Sequence, residues 1–240
     1  MIVAAGLGTR LKPLTDRIPK ALVPVGGKPL LEHIIRKLSG AGISEIVINI
    51  HHFPEQIIRF VEQNDSFGIN IYFSDETDAL LETGGGIKKA RKWLEDDFFL
   101  VHNVDILSDL NIASLLAQHQ RTQPLATLAV SERSTFRYFL FDEDSRLRGW
   151  TNLKTGQVKP EQLRHPELFR KLAFSGIQIL SPEVFTLMDT WPDRFSITDF
   201  YLNVLNSHTL LGYTQENYQM MDVGKLDILN DAEDWLATNS

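Results

Sequence analysis

The chain has 240 residues, 43% of them hydrophobic and 23% charged, with a net charge of −7 and no cysteine. That composition suits one large globular domain; it excludes a disulfide framework, a thiolate zinc site and a thiol nucleophile, and it fits a reducing cytoplasm. No apolar run approaches a membrane span, no signal peptide is legible at the N-terminus, and a net acidic chain is a poor general binder of nucleic acid, so the expected partner is a small molecule.

The first 28 residues depart from the acidic average, with Arg10, Lys12, Arg17, Lys20 and Lys28 against Asp16 alone. Ile2 to Ala5 is an apolar run, read as a short buried strand, that empties into Gly6-Leu7-Gly8-Thr9-Arg10. Leu30, Leu31, Ile34, Ile35 and Leu38 then fall at helical spacing, with Gly40 and Gly42 as the stop. Glu45 to Ile50 reads as a buried strand, Pro54 to Glu62 as a helix with proline in its first turn, and Ile69 to Ser74 as a third strand. After Gly84-Gly85-Gly86 the spacing predicts a helix over Ile87 to Leu94, a strand over Phe98 to Val104 ending in Asp105, a helix over Leu110 to His119 and a strand over Ala126 to Ser131. This alternation predicts right-handed crossovers and a doubly wound α/β domain, with a mainly parallel, Rossmann-like sheet.

Beyond Glu132 the pattern changes. Tyr138 to Phe141 and Leu147 to Trp150 flank an acidic turn and read as a hairpin. Lys154 to Lys171 is polar and reads as an irregular loop over the site. A strand over Leu172 to Leu180, a helix begun by Ser181-Pro182-Glu183, a helix over Ser196 to Leu205, short strands over Thr209 to Thr214 and Gln219 to Val223, and an amphipathic helix over Leu226 to Leu236 complete the chain.

The chemistry concentrates in the opening loop. Glycines let a ligand approach main-chain N–H groups that form an anion-binding nest, Arg10 offers a planar fork of donors and Lys20 a mobile point charge. Two familiar motifs do not fit: no Gly-Lys-Ser/Thr follows, and a dinucleotide fingerprint lacks its third glycine at Leu11 and its acid, Asn49 standing at the end of the following strand. Read alone, Gly6 and Gly8 equally make a tight turn with solvated basic residues around it. Asp105 and Asp222 each close a strand, where ligands sit in open α/β sheets. Singly each reads as a cap or a loop acid; together they suit one hard cation such as Mg²⁺. His51 and His52 are neighbours on a strand end and point to opposite faces, which argues against a shared metal.

The string GLGTRLKPLT followed by PKALVPVGGKP resembles the signature of the sugar-1-phosphate nucleotidylyltransferases, in which GxGTRL precedes PKxLxPV, and the resemblance runs from Met1 to the last helix. It implies a glycosyltransferase-A-like nucleotidyltransferase fold with a small β-rich sugar-binding insertion and no β-helix domain. It also implies one domain over residues 1–240, with residues 1–132 as the nucleotide-binding half and residues 133–240 completing the sugar and metal sites. By the same resemblance, Ala5, Gly6, Gly8, Thr9, Arg10, Glu82, Thr83, Gly84 and Asn103 bind the nucleotide, and Lys20, Gly149, Asn152, Ser175, Gly176 and Asp199 the sugar phosphate. Asp105 and Asp222 hold Mg²⁺, or Mn²⁺ in its place, while Arg10 and Lys20 are the catalytic cations.

One departure stands out. Where the family usually has Asn-Gly-Asp, this chain reads Asn103-Val104-Asp105, and the added side chain is expected to narrow the site or shift the metal. The reaction implied is NTP plus sugar 1-phosphate to NDP-sugar plus pyrophosphate, with UTP and N-acetylmuramate 1-phosphate or a related hexose 1-phosphate as the first candidate pair. GTP with mannose or heptose 1-phosphate, a phosphocholine-type cytidylyltransferase with an aromatic cage from Phe136, Tyr138, Phe139 and Trp150, and an inactive nucleotide-sugar-binding regulator are the alternatives. The protein is expected in the cytoplasm, as a monomer or homodimer, without nucleic-acid or membrane partners.

Overall fold

The opening strand is short: in the computed structural model, which describes residues 1–239, Ile2–Val3 forms β1 and the chain leaves the sheet at Ala4, whose N–H turns to the Asn49 side chain. Pro24–Val25 (β2) and Lys28–Pro29 (β3) pair through a turn in which Gly26 and Gly27 take positive φ, 57° and 77°. They lead into α1 (Leu30–Gly40), which buries all five apolar residues of its predicted stripe. β4 (Glu45–Ile50), α2 (Pro54–Gln63) and β5 (Asn70–Asp75) follow as the sequence predicts.

The next helix is displaced from its predicted place. α3 covers Glu82–Lys89 and takes in all three glycines, with a 3₁₀ turn at Arg91–Trp93 behind it. Glycine is a poor helix former, so spacing put the helix start after the run. Packing decides otherwise: a β-carbon on Gly84 would stand 2.4 Å from the Phe195 ring and one on Gly85 2.0 Å from the Asp193 carbonyl oxygen. Gly84 and Gly85 are where α3 and the 193–195 segment touch, and Gly86 faces Glu76 instead.

β6 (Phe99–Asn103), β7 (Ile106–Ser108), α4 (Ile112–Thr122), capped by the Asn111 side chain, and β8 (Ala126–Ser131) come next. β9 (Arg137–Phe141) and β10 (Leu147–Asn152) form the expected hairpin. The stretch read as irregular loop instead holds β11 (Gln157–Lys159), antiparallel to β10, and a 3₁₀ turn at Pro166–Leu168; three residues are too few for a strand period to register. β12 (Arg170–Leu180) precedes α5 (Glu183–Met188), whose expected cap Ser181 instead donates its hydroxyl to the Pro124 carbonyl at 2.7 Å. α6 (Ile197–Val204) is capped by Ser196, and β13 (Leu210–Tyr213), β14 (Met220–Asp222) and α7 (Leu229–Asn239) end the chain.

Ten strands form one sheet, in the order β11-β10-β9-β12-β6-β1-β4-β5, with β8 branching beside β12 and β13 pairing with β8. β6, β1, β4 and β5 run parallel, and β12 enters antiparallel to β6. This mixed α/β sheet with helices packed on it is the fold class expected, and it is parallel throughout the half that carries the opening loop. In register, Val3 is level with both Asn49 and Asn103, so the loops after β1, β4 and β6 leave the sheet at one edge. No helix among the described residues is long and apolar enough to cross a membrane.

Candidate active site

At that edge the opening loop is anchored before it is exposed. Asn49 Oδ1 accepts the N–H groups of Ala4 and Ala5 at 2.6 and 3.3 Å. Gly8 sits at φ 63°, and a β-carbon there would stand 2.8 Å from Thr15 Cγ2 and 3.0 Å from Lys20 Cβ. Its carbonyl accepts from the Leu11 N–H and the Thr15 hydroxyl, at 2.8 and 2.9 Å. Among the described residues no acceptor meets the N–H of Gly6, Leu7 or Gly8, and nothing lies within 4 Å of the place a Gly6 β-carbon would take. Unpaired N–H groups in an exposed turn make an anion-binding concavity. Within this loop, Ala5 is the predicted nucleotide contact whose N–H is already engaged.

The two distant aspartates meet here. The β7–β14 ribbon sets Asp222 opposite Ile106, and the Val223 N–H donates to the Asp105 carbonyl at 2.8 Å. Lys20 Nζ donates to Asp105 Oδ2 in a largely buried pair, and Arg10 Nη2 lies 3.9 Å from Asp222 Oδ1 in a more exposed one. All but Lys20 converge on Gly224: a β-carbon there would stand 2.6 Å from Arg10 Nη2, 2.7 Å from Asp222 Oδ1 and 3.1 Å from Asp105 Oδ2. Sequence reading left Gly224 out, although it directly follows the Asp222-Val223 pair.

The donor set suits a hard divalent cation. Two carboxylate oxygens face one small space, with Lys20 and Arg10 as counter-charges. Among the described residues no three or more His, Cys, Asp or Glu side chains gather into a metal site; a two-carboxylate set would leave the remaining positions of such an ion to waters and substrate phosphates.

Val104 does not behave as expected. It is 1% exposed and packs in the hydrophobic core, so its side chain is taken up by core packing rather than left open in the cleft. Asn103 and Gly176 are brought together by an irregularity in β12: Gly176 has φ 73°, and a β-carbon there would stand 2.7 Å from Asn103 Nδ2. Ser175 beside it is buried near Tyr218, facing inward. Asn152 holds the turn after β10, accepting the Lys154 N–H at 3.0 Å, and a β-carbon on Gly149 would stand 2.6 Å from the Lys159 carbonyl oxygen. Asp199 accepts from Lys159 Nζ at 3.2 Å, and that ammonium is 5.8 Å from the Trp150 ring centre. With Arg137, Ser196 and Thr198 these residues line a recess of about 180 Å³. Lys159 was not singled out from sequence; its only local signal is a lysine before Pro160 in a polar stretch.

At the start of α3, Glu82 pairs with Arg194 at 3.1 Å, Thr83 is half-buried, and the Gly84 N–H donates to the Phe195 carbonyl at 3.0 Å. That N–H is engaged within the fold. His51 and His52 diverge as expected, to the carbonyls of Glu76 and Thr15 at 2.6 and 3.1 Å.

The sequence pattern of the nucleotidyl transferase family matches residues 1–239. The chain belongs to that family. Among family relatives, it is 36% identical over 191 residues to an N-acetylmuramate alpha-1-phosphate uridylyltransferase of Neisseria meningitidis, covering 77% of this chain and 76% of the relative. It is 31% identical over 230 residues to a mannose-1-phosphate guanyltransferase of Yarrowia lipolytica, covering 94% of this chain and 60% of that protein. The chain thus spans about three fifths of the length of that guanyltransferase. HddC from Yersinia pseudotuberculosis, solved with GMP-PN, superposes with a TM-score of 0.79 over 98% of this chain and 97% of that one; at 24% identity this shows the shared fold alone.

Proposed function

We propose that the protein is a sugar-1-phosphate nucleotidylyltransferase that joins a nucleoside triphosphate to a sugar 1-phosphate and releases pyrophosphate. The observation that carries this reading is the gathering of Asp105, Asp222 and Arg10 around Gly224, with Lys20 on Asp105. UTP with N-acetylmuramate 1-phosphate is the first candidate pair, supported by the 36% identity to the uridylyltransferase. The inactive-regulator reading rested on Val104, whose side chain lies in the core. An aromatic cage is disfavoured because Phe139 packs against Phe141, Phe174 and Tyr201.

In this reading a sugar-phosphate oxygen attacks the α-phosphorus of the nucleotide, and the bond from that phosphorus to the bridging oxygen of the β-phosphate breaks. The attacking phosphate is already largely dianionic near neutral pH, its second pKa being about 6, so no general base is required. The difficulty is charge: at an effective dielectric near 20, two unit charges about 4 Å apart repel by roughly 4 kcal/mol. The free N–H groups of Gly6, Leu7 and Gly8 and the Arg10 guanidinium receive the β- and γ-phosphates that depart, and Lys20 approaches the oxygen on which charge develops. A divalent cation held by Asp105 and Asp222 would supply Lewis-acid neutralisation of the phosphate oxygens. The protein's share is in-line positioning and electrostatic stabilisation.

The test is pyrophosphate release with Mg²⁺ across UTP, GTP, CTP, ATP and dTTP against the 1-phosphates of N-acetylmuramic acid, mannose, glucose, N-acetylglucosamine and a heptose, and phosphocholine. Turnover of a sugar 1-phosphate pair supports the proposal and names the substrates. Silence with every pair while nucleotide still binds would refute it.

A further inference from the structure

A carboxylate with no exposed surface lies between the two glycine-rich segments. Glu76 Oε1 accepts from Asn49 Nδ2 at 2.7 Å, and Oε2 accepts the Leu81 N–H at 3.2 Å. Asn49 turns its oxygen the other way, to the N–H groups of Ala4 and Ala5. An unbroken line of hydrogen bonds therefore runs from the first residues after β1, through Asn49 and Glu76, to Leu81, the residue immediately before α3. Its middle is fixed on the backbone too: the Glu76 N–H donates to the Ile50 carbonyl at 2.7 Å, and the Glu76 carbonyl accepts from His51 Nδ1 at 2.6 Å. Gly86 closes the space around it, since a β-carbon there would stand 2.6 Å from Glu76 Oε1 and 3.0 Å from Asn49 Nδ2.

Burying a carboxylate is costly unless donors surround it, and burial does push the Glu76 carboxyl upward, against the pull of Asn49 and Leu81. The donor pattern explains why an acid occupies the position. The loop N–H groups fix the Asn49 oxygen toward Ala4, which leaves its amide N–H₂ facing Glu76, and the Leu81 N–H approaches from the far side. Only a side chain that accepts at both ends satisfies both donors.

We propose that Glu76, acting through Asn49, is a positioning residue that holds the opening loop and the start of α3 at the separation a bound nucleotide requires. This rests on the nucleotidylyltransferase reading, in which the first segment takes the triphosphate and the second the nucleoside. Glu76→Gln keeps the volume but loses one acceptor, so it breaks the line at Asn49 or at Leu81. The double variant Asn49→Asp with Glu76→Gln rebuilds it with polarity exchanged: the carboxylate introduced at position 49 accepts from Ala4, Ala5 and the new amide, whose oxygen accepts from Leu81.

The experiment is calorimetric titration of UTP and of GTP with Mg²⁺ into the full chain and both variants, with thermal unfolding of each and KM for both substrates where turnover exists. Glu76→Gln is expected to weaken nucleotide binding at least about 10-fold, leave KM for the sugar 1-phosphate within about 2-fold, and regain affinity to within about 3-fold in the double variant. Unchanged nucleotide affinity in Glu76→Gln, an equal rise in both KM values, or a stable double variant that binds no better than the single one would overturn the proposal. Binding of nucleotide without turnover by the unmodified protein would count against the reaction and leave this comparison intact.

Discussion

Gly224→Ala separates the site from the fold. Gly224 has no positive φ, so alanine fits its backbone, and a Gly-to-Ala change at a compatible position stabilises by about 0.4–1 kcal/mol through the unfolded chain. The new methyl would, however, stand 2.6 Å from Arg10 Nη2 and 2.7 Å from Asp222 Oδ1. Ordinary contact begins at about 3.5 Å, so both groups must retreat by close to 1 Å. Both are half-exposed side-chain ends and move without disturbing the core. A misplacement of about 1 Å costs on the order of 100-fold in rate when positioning is the catalytic device. The expected result is a fall of at least about 100-fold in kcat/KM for pyrophosphate release, with Tm unchanged or raised by a few degrees. Near-normal turnover in a stable Gly224→Ala protein would show that Arg10 and Asp222 do not act together at this point.

The remaining predictions address single groups and the fold. Asp105→Asn and Arg10→Ala should each lower kcat/KM by at least about 100-fold, the loss typical of one stabilising group, measured in the same assay; a variant that keeps normal turnover removes that residue from the mechanism. Gly84→Ala, placing a methyl 2.4 Å from the Phe195 ring, should cost about 1–3 kcal/mol, visible as a lower urea midpoint. Burial lowers the pKa of His102 and His119 to about 4, below the unfolded value of about 6.5. The folded state therefore resists their protonation: this stability is complete above about pH 6.5 and lost toward pH 4, worth about 3 kcal/mol for each. Urea unfolding across that window should show the slope, and His119→Gln should remove about half of it; an unchanged slope would mean that His119 is protonated in the folded state.

The chemistry of the opening loop was legible in sequence because it is local. Gly6, Gly8, Arg10 and Lys20 are close neighbours in the chain, and residue type alone states what each offers a phosphate. The stripe of α1 and the strand β4 were legible for the same reason, since a period of 3.6 or an apolar run reports on the residue's own segment. Val104 and the glycines of α3 were not. Whether a side chain after a strand faces the cleft or the core depends on the elements above it, and Val104 is covered by the core. The glycines looked like a helix breaker because propensity carries no knowledge of Asp193 and Phe195, which are more than a hundred residues away and need the space Gly85 and Gly84 leave. Lys159 and Glu76 were missed likewise, because their partners Asp199 and Asn49 are brought to them only by strand pairing and chain crossing. What the sequence determined by itself was therefore the inventory of charges and the α/β alternation that sends strand ends to one edge. The resemblance already set Asp105 with Asp222, but their meeting at Gly224 beside Arg10 was decided by the tertiary structure, because the β7–β14 ribbon joins segments far apart in the chain.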